Sequence, residues 1–496
     1  MSKIDVFLLK LEPDYESYHL APPFGILYVA DALEKKGLTV KVYHEKGTPA
    51  VIDRIGAEVI EHKPLFAGIS TMTGPSLLPS LAVSRKIKEK ADIPVVWGGM
   101  HPTMLPEQTL EERSIDLAVI GEGEVAAVEI AGALDDKGLD SRTLGAISGI
   151  AFRENGGVTI NPTKSFISDL DAYSPAWHHL DRGRYIYKSK YFYSEMGSKL
   201  PGESIAAVIT SRGCPWRCGY CYNQFVNKRT FRAHSAERVI AEVESLKKDF
   251  AVSAVIFEDD DFFANKKRAL EVVRRIGIPW SSSIRANYIA RWGEDFIKEI
   301  SENNCVEIRI GAESGSPRVL EIMHKDITVE DIRRSAELCR KYNVHHLTNF
   351  MIGIPGETWE DMLLTFDLMD SLEKEGHFVN GPSVYLPWPG TPLYDTAVER
   401  GFKPPEEMTA WAVQWGKDQP RTPFLKSHLR LVNHYRTLAL RDRGRARRFP
   451  VAGRALKALA LKRWEKRFFQ WPLDYSVPAA LLKTANAFRR KNITHG

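Results

Sequence analysis

The sequence predicts an α/β fold with two parallel sheets and a helical, basic C-terminal region. The first sheet is of the doubly wound, Rossmann-like type, and the second is a partial (β/α)6 barrel of the TIM type. Three observations carry this prediction: the 496-residue length exceeds one ordinary domain, short apolar runs alternate with amphipathic helical stretches, and those runs end in polar or glycine-rich residues. The predicted domains are residues 1–150, a linker at 151–200, a barrel at 201–400 and a C-terminal domain at 401–496.

Composition and cysteine usage restrict the class of protein. With 44% hydrophobic and 26% charged residues the chain can bury a large core, which argues against global disorder. No run of about 18 apolar residues occurs, so no transmembrane helix is predicted. Five cysteines, three of them within eight residues, do not form a disulfide framework, and the N-terminus has no leader-like apolar segment. We therefore expect a cytoplasmic protein.

Residues 1–150 show the pattern of a parallel sheet. The strand-like runs are Asp5–Leu9, Thr39–Tyr43, Leu65–Ser70, Pro94–Trp97 and Ile115–Ile120, with helices at Ile26–Lys36 and Pro79–Lys90. Three strands end in small or hydrogen-bonding residues, which let a bulky ligand approach the backbone and bond its polar groups. These candidate contacts are Ser70, Thr71, Met72, Thr73, Gly98, Gly99, His101, Gly121, Glu122 and Gly123. Ordinary α/β loop composition explains the same residues, so spacing alone leaves both interpretations open.

The region between the two sheets predicts a hairpin and a linker. Ile150–Ile160 is typical of a hairpin around Asn155-Gly156, a strong turn signal. Asp169–Tyr193 is irregular and rich in aromatic residues, and we expect it to join the domains. Its aromatic side chains are expected to serve packing rather than ligand binding.

The stretch Ser211–Gln224 contains Cys214, Cys218 and Cys221 in a C-x3-C-x2-C pattern. Such a loop can place three thiolates around one corner of a cuboidal iron–sulfur cluster and leave one iron open, because no fourth cysteine is nearby. A structural zinc site is the alternative, but zinc normally takes four ligands and the nearest downstream histidine, His234, has no second pair beside it. Cysteines 305 and 339 fall on strand-like and helix-like patterns and are expected in the core.

Residues 201–400 alternate strands and helices again. Six strands are predicted, at Ile205–Ile209, Ala254–Phe257, Trp280–Arg285, Glu307–Gly311, His346–Ile352 and Ser383–Leu386, with helices at His234–Phe250 and Lys266–Ile276. Barrels of this type keep their active site at the carboxyl ends of the strands, so the cysteine loop lies on that rim. The other rim residues are Glu258, Asp259, Asp260, Arg285, Glu313, Ser314, Gly353 and Gly356. Each of these residues alone is a weak signal of a binding site, because a solvated acidic turn or a plain Pro-Gly turn has the same composition.

The net charge of +5 conceals a basic tail. From Arg421 to the C-terminus there are 19 Lys and Arg residues against three acids, and Trp and Phe residues lie among them. Leu425–Leu440 has helical spacing, and Arg441–Arg448 is a basic run. A solvated basic helix packed on an acidic core, a peripheral membrane contact and an anion-binding surface all stay open. Nothing matches a nucleic-acid-binding fold, so no nucleic-acid partner is predicted.

The cysteine spacing, with Tyr220 just before the third cysteine, resembles the signature of the radical S-adenosylmethionine (SAM) enzymes. Pro22–Ala30, Gly98–Thr103 and Ile120–Glu124 resemble the cobalamin-binding domain that precedes many such cores, as in the class B methyltransferases and the anaerobic cyclase-like family. The Asp-x-His-x-x-Gly motif of other cobalamin proteins is absent, so His101 is not assigned as a cobalt ligand. The Thr71–Thr73 loop is the candidate neighbour of the lower corrin face. An α/β domain that binds no corrin is the alternative.

The resemblance implies a role for each residue of the barrel rim. The three cysteines would hold a [4Fe–4S] cluster whose open iron binds the methionyl amine and carboxylate of SAM. Glu258, Asp259 and Asp260 replace the family's Gly-Gly-Glu, so which of them binds the amine is undecided. The remaining contacts would be Arg285 to the carboxylate, Glu313 and Ser314 to the ribose, and Gly353, Gly356 and Tyr220 to the adenine.

The function that the resemblance implies is reductive cleavage of SAM to a 5′-deoxyadenosyl radical, with an electron from an external flavodoxin- or ferredoxin-like donor. With cobalamin, the implied reaction is methylation of an unactivated carbon in a small molecule, either lipid-like or a natural product. A cobalamin-dependent cyclase or rearrangement enzyme without methyl transfer is the alternative among enzymes. A non-catalytic iron–sulfur redox sensor is the alternative outside them, although a sensor has no need of the ordered rim residues.

Overall fold

The structure is a computed structural model of the 496-residue chain. It describes residues 3–14, 21–136, 138, 140–187, 204–414, 423–425, 429, 432, 435–436, 439 and 450–470. Across these ranges no helix is both long enough and apolar enough to cross a membrane. The predicted basic run Arg441–Arg448, most of the predicted helix Leu425–Leu440 and the end of the predicted linker lie outside the described residues.

The N-terminal sheet has seven strands in the order β2-β1-β3-β4-β5-β6-β7. Strands β1 to β5 are parallel, and β6 and β7 form an antiparallel hairpin beside β5. The strands are β1 (Val6–Glu12), β2 (Val40–Lys46), β3 (Phe66–Ser70), β4 (Val95–Gly98), β5 (Leu117–Val119), β6 (Ile150–Glu154) and β7 (Gly157–Ile160). The helices are α1 (Phe24–Glu34), α2 (Pro49–His62), α3 (Leu77–Lys90), α4 (Met100–Met104), α5 (Pro106–Glu111), α6 (Gly123–Asp136) and α7 (Ser141–Ala146). The predicted doubly wound sheet is confirmed.

Alternating side chains of this sheet build two apolar layers, as the two-residue period of a strand requires. Val6 and Leu8 of β1 pack with α1 and α6 on one face, while Phe7 and Leu9 pack with α2 and α3 on the other. The predicted hairpin is present, and it extends this sheet rather than belonging to the connecting segment.

The second sheet also has seven strands, in the order β16-β15-β14-β13-β12-β9-β8. Its strands are β8 (Ile186–Tyr187), β9 (Ile205–Val208), β12 (Ala254–Phe257), β13 (Trp280–Ile284), β14 (Cys305–Glu313), β15 (His345–Ile352) and β16 (Phe378–Val384), and a short ladder pairs β10 (Ser211–Arg212) with β11 (Arg232–Ala233). The helices are α8 (Asn223–Val226), α9 (Ala236–Phe250), α10 (Lys266–Ile276), α11 (Ala286–Glu302), α12 (Pro317–Ile322), α13 (Val329–Lys341), α14 (Trp359–Lys374), α15 (Pro392–Glu399), α16 (Met408–Gln414) and α17 (Pro450–Glu465). Six strands of this sheet, β9 and β12 to β16, are parallel, which confirms the predicted partial barrel.

Two edges of the barrel differ from the sequence prediction. Strand β8 pairs antiparallel with β9 and adds a seventh strand within the predicted linker. Strand β16 begins at Phe378, well before the predicted Ser383, and it runs through Gly381 and Pro382. Proline lacks the amide that a central strand must donate, but an edge strand has one side free of partners and accepts it.

The described part of the basic tail packs on the barrel. Trp464 and Phe469 are 2% and 1% exposed, and both rings contact Phe366 of α14. The Trp464 indole donates to Asp370 at 2.8 Å, and Arg467 pairs with the same carboxylate at 2.7 Å. Among the open roles for the tail, packing of basic residues against an acidic surface therefore accounts for this portion.

Charged side chains join the two sheets where their carboxyl ends meet. Arg212 of β10 pairs with Glu122 and Glu124, which follow β5, at 2.8 and 2.6 Å. Arg232 of β11 pairs with Glu122 at 2.6 Å, and the Arg212 guanidinium lies 4.8 Å from the Tyr28 ring centre. This interdomain ion-pair group thus links the loop after β5 to the residue two positions before Cys214.

Candidate active site

Backbone contacts fix the loop that carries the three cysteines. Gly213 has a φ of +82°, and a Cβ there would lie 2.1 Å from the Thr230 carbonyl, so only glycine fits. Gly219 donates its amide to the Met323 carbonyl at 2.7 Å and accepts from the Leu393 amide at 2.9 Å. The loop is therefore held from both sides by backbone that lies far away in sequence.

The three thiols lie in a partly dry environment that suits a metal cluster. Cys218 is 7% exposed, and Cys214 and Cys221 are half-buried. Burial raises the pKa of the Cys221 thiol to about 11, and burial together with Asp261 raises the pKa of Cys214. Because thiolates are the ligating form, these side chains need a bound cation to lose their protons. The other two cysteines, both buried in the barrel core, cannot complete a four-cysteine site.

The four acids after β12 have different surroundings. Glu258 turns outward and pairs with Arg309 at 3.1 Å. Asp259 is buried beneath the loop, where it accepts from the Thr210 amide and hydroxyl at 3.0 and 2.9 Å. Asp260 accepts from the Tyr222 hydroxyl at 2.5 Å. Through these contacts Asp259 holds the backbone and the side chain of Thr210 in place. Burial raises the pKa of Asp259 to about 6.

Asp261, which the sequence analysis did not single out, is the acid beside the cysteines. Its Oδ2 lies 3.8 Å from the Cys214 sulfur and accepts from the Trp216 indole at 3.1 Å and the Tyr288 hydroxyl at 3.0 Å. Its Oδ1 is buried without a partner among the described residues. A buried oxygen without a donor is costly unless a ligand supplies one, so Asp261 fits a site for an amine.

Two cations flank the cysteine loop. Arg285 is buried, donates to the Cys218 sulfur at 3.3 Å and lies 3.9 Å from the Trp216 ring centre. Lys325 is 6% exposed. Its ammonium group donates to Glu313 at 3.0 Å and to the Tyr220 hydroxyl at 2.9 Å. The sequence analysis did not identify Lys325, because it searched for polar residues at the ends of strands and Lys325 follows a helix.

Glu313, Tyr220 and Lys325 form a closed triangle of hydrogen bonds. The Tyr220 hydroxyl donates to Glu313 at 2.9 Å, and burial with the neighbouring Glu313 charge raises the pKa of Tyr220. Glu313 adopts a φ of +65°, a strained conformation for a residue with a side chain. Ser314, predicted to reach the same ligand, is instead fully buried and bonds Thr365 at 3.0 Å.

In the glycine-rich turn after β15, backbone amides donate to the carboxylate of Glu357 in the same turn. Gly353 and Gly356 have φ values of +82° and +93°, and Glu357 accepts from the amides of Gly353 and Ile354 at 2.5 and 3.2 Å. Burial raises the pKa of Glu357 to about 7 despite these amides. Its side chain also lines a cavity of about 360 Å³ whose other walls include Trp359, Phe424, Phe468 and Phe469.

This pKa gives a testable pH dependence. A carboxyl group whose pKa is higher in the folded state binds its proton more tightly there, so folding stability falls as the pH rises from the ordinary value of 4.5 towards 7. We expect the Glu357→Gln variant to lose less thermal stability than wild type between about pH 5 and pH 8. Glu360→Gln, an exposed neighbour on α14, is the control and should follow wild type. Identical pH profiles for Glu357→Gln and wild type would contradict the prediction.

The residues predicted to contact a corrin after β3 and β4, Ser70–Thr73 and Gly98–Gly99, lie together at the carboxyl edge of the first sheet. We call this edge the shelf. The Thr71 amide donates to the Gly98 carbonyl at 2.9 Å, and a Cβ on Gly99 would lie 2.6 Å from the Thr71 carbonyl. Met72 projects from this shelf with 48% exposure, after Ser70 at the end of β3. A Cβ on Gly98 would make an ordinary contact with Val119 at 3.9 Å, so this position is not crowded.

His101 and the loop after β5 support the shelf from behind. His101 is 0% exposed, its Nδ1 lies 3.2 Å from the Thr73 hydroxyl, and burial lowers its pKa to about 3. Because its ring is fully buried and bonded to Thr73, His101 fits a supporting role. Glu122 is occupied by the interdomain ion pairs, and Gly121 donates its amide to Thr103 at 3.0 Å. A Cβ on Gly123 would lie 3.0 Å from Val29 of α1, so this glycine permits helix packing.

Comparison with known proteins identifies both regions. Residues 208–369 match the family model of the radical SAM superfamily, and residues 16–131 match that of the B12 binding domain. An uncharacterized methyltransferase of Pyrococcus horikoshii is 31% identical over 386 residues, which cover 76% of this chain and 78% of that protein. An anaerobic magnesium-protoporphyrin IX monomethyl ester cyclase of Rubrivivax gelatinosus is 26% identical, with 75% of this chain and 66% of that protein covered.

Solved structures share the fold. The radical SAM methyltransferase TsrM of Kitasatospora setae, with cobalamin and a [4Fe–4S] cluster bound, superposes with a TM-score of 0.61 at 19% identity, covering 80% of this chain and 75% of that one. The cobalamin-dependent SAM radical enzyme OxsB, with aqua-cobalamin and SAM bound, gives 0.65 at 16% identity, covering 93% and 71%. At these identities the likeness concerns the fold alone.

Proposed function

Because the chain belongs to the radical SAM superfamily and carries a B12 binding domain, we propose that it is a cobalamin-dependent methyltransferase that acts on a carbon atom of a small molecule. The observation that carries the proposal is the junction of the two sheets. The interdomain ion-pair group joins the loop after β5 to β10, two residues before Cys214, and this proximity supports a substrate site between the predicted corrin contacts and the cysteine loop. Methyl transfer needs both cofactors near one substrate.

The domain assignment follows from the same observations. We assign the first domain to cobalamin and the barrel from residue 201 to about 400 to SAM and the cluster. The predicted boundary at residue 150 would move to the end of β7, since the hairpin completes the first sheet. Of the region from residue 401, the described helix α16 packs on the first domain, and the described residues Trp464 and Phe469 pack on the barrel.

When bound, the cluster supplies the electron that cleaves SAM to methionine and a 5′-deoxyadenosyl radical, and the corrin supplies a methyl group. The chain's own work is to hold and orient these groups. Cys214, Cys218 and Cys221 fit the cluster as three thiolate ligands. Arg285, which donates to the Cys218 sulfur, would offset part of the thiolate charge.

We assign the SAM contacts by chemistry and position. The Oδ1 of Asp261, which has no partner among the described residues, would accept from the methionyl amine. Asp259 Oδ2 is also buried without a described partner, but Asp261 is the acid that lies beside Cys214, so we assign the contact to Asp261 instead of the three acids that the sequence analysis proposed. Arg285 and Lys325 are the cations available to the carboxylate, and Glu313 is the acceptor available to ribose hydroxyls. Tyr220 and the turn at Gly353–Gly356 would border the adenine.

The first domain offers the corrin a shelf rather than a histidine ligand. Met72, exposed between the buried Thr71 and Thr73, is the side chain we assign to the lower corrin face. Gly98 would lie under the ring without a side chain to hinder it, and Gly99 permits the close packing of this loop on the Thr71 backbone. A thioether is a weak, neutral neighbour, so Met72 would border the corrin without placing a charge beside it.

A cyclase that uses the same cofactors without methyl transfer is the second candidate. The similarity to the Rubrivivax gelatinosus cyclase favours it, although that match is weaker than the match to the methyltransferase. Product analysis separates them without knowledge of the substrate. Methyl donation by SAM releases S-adenosylhomocysteine, and radical formation releases 5′-deoxyadenosine.

The test uses protein purified and reconstituted anaerobically with iron, sulfide and cobalamin, and then supplied with SAM and a chemical reductant. We expect both S-adenosylhomocysteine and 5′-deoxyadenosine. 5′-Deoxyadenosine alone would favour the cyclase. Absence of both products, with the cluster and corrin present by absorption spectroscopy, would reject both candidates.

The domain junction gives a separate prediction. Glu124 is 3% exposed and pairs with Arg212, so Glu124→Gln should loosen the corrin domain from the cysteine loop. A displacement of about 1 Å between reacting groups can cost about 100-fold in rate, so S-adenosylhomocysteine formation should fall by up to that factor. Cluster content should stay unchanged. Glu129→Gln, exposed on the same helix, is the control, and equal rates for the two variants would count against a coupling role for Glu124.

A further inference from the structure

A second group of metal-ligating side chains lies outside the barrel. Glu34 is the last residue of α1, and His178 and His179 belong to a 3-10 turn in the segment between the domains. Both histidine Nε2 atoms contact Glu34 Oε1, at 2.9 and 2.8 Å. One ligand atom from each of the three side chains lies within 4.8 Å of the others.

The donor set matches a transition-metal site. Two imidazoles and one glutamate are the protein ligands of a common class of zinc site, which leaves one position to solvent. His178 is exposed, which leaves the fourth position accessible. The adjacent Lys35 ammonium is held by Asp31 and the Ala172 carbonyl at 2.6 and 2.7 Å.

We propose that Glu34, His178 and His179 bind one divalent transition metal of the zinc class, separate from the cysteine loop. The metal would join the connecting segment to α1. That segment also contacts the barrel, because Asp171 pairs with His234 at 2.9 Å and Arg182 pairs with Glu242 of α9. One bound ion would therefore brace the first domain against the second.

The test is equilibrium dialysis of the untagged protein, loaded with cluster and cobalamin, against zinc, followed by elemental analysis. We expect one zinc per chain, with a zinc-edge X-ray absorption spectrum that shows nitrogen and oxygen ligands at about 2.0–2.1 Å and no sulfur at about 2.3 Å. His179→Asn should weaken zinc binding by more than about 100-fold, beyond what loss of an outer-shell partner costs. His62→Asn, at the end of α2, is the control.

Three outcomes would overturn the proposal: unchanged zinc affinity in His179→Asn, a sulfur shell in the spectrum, or no bound zinc. His179 is largely buried, so its variant could fold poorly. His178→Asn changes an exposed side chain and should fold normally while still weakening the affinity. Unchanged affinity in a folded His178→Asn would equally reject the site.

Discussion

Replacing Cys218 with alanine should abolish SAM cleavage and remove the cluster. The other two thiols are half-buried and cannot hold a cuboidal cluster at three corners once the third ligand is lost. Alanine offers no ligand atom, and Cys218 is 7% exposed, so a water molecule has little room to replace the sulfur. The measurements are iron and sulfide content after anaerobic reconstitution, and 5′-deoxyadenosine formation. We expect both to fall to background.

The matched control is Cys339→Ala. Cys339 is a buried cysteine in the barrel core, so this variant tests the loss of a sulfur without the loss of a ligand. Its iron content and SAM cleavage should match wild type at a temperature where both are folded. Wild-type turnover by a Cys218→Ala protein that contains no iron would refute the assignment of the loop to the cluster.

Asp261→Asn should have the second largest effect, on SAM binding rather than on the cluster. Hydrogen bonds to charged groups contribute about 1.5–3 kcal/mol, so loss of the carboxylate should weaken SAM binding by about 10- to 150-fold. Asparagine keeps the shape and can still accept from Trp216 and Tyr288. Iron content should therefore stay constant while the dissociation constant, measured by anaerobic equilibrium dialysis, rises.

Glu258→Gln separates this assignment from a general charge effect. It removes one negative charge from the same four-acid run, but its carboxylate points outward to Arg309. SAM affinity should stay at the wild-type value. If Glu258→Gln weakens SAM binding as much as Asp261→Asn does, the Asp261 contact is wrong and the run acts through its summed charge.

The sequence was sufficient to predict the fold because its two sheets follow simple rules. Short continuous apolar runs, which are buried on both faces of a parallel sheet, and helices with a 3.6-residue period identify strands and crossovers directly. One of the two exceptions at the barrel edges is informative. Residues of β16 before Ser383 were not predicted, because Gly381 and Pro382 normally interrupt a strand, and only its position at a sheet edge removes that objection.

The positions of individual side chains in the site were harder to predict from the sequence than the strands that carry them. Beyond the end of β12 the alternation of faces stops, so the sequence could not tell that Asp259 lies beneath the loop and Asp261 beside Cys214. Lys325 follows α12, and no strand-end pattern indicates it. Their positions depend on contacts between segments far apart in sequence, which local patterns do not encode.

Helix α16 bears on whether the two domains are separable. It follows the barrel in sequence but packs on the first domain, where Trp411 is 1% exposed and its indole donates to Gln108 at 2.8 Å. Gln108 in turn donates to the carbonyls of Pro405 and Glu406. A fragment ending near residue 160 would expose the apolar surface that Met408 and Trp411 cover. The first domain therefore depends on α16 for the cover of its apolar surface. A chimera that joins this domain to a different barrel would also need α16.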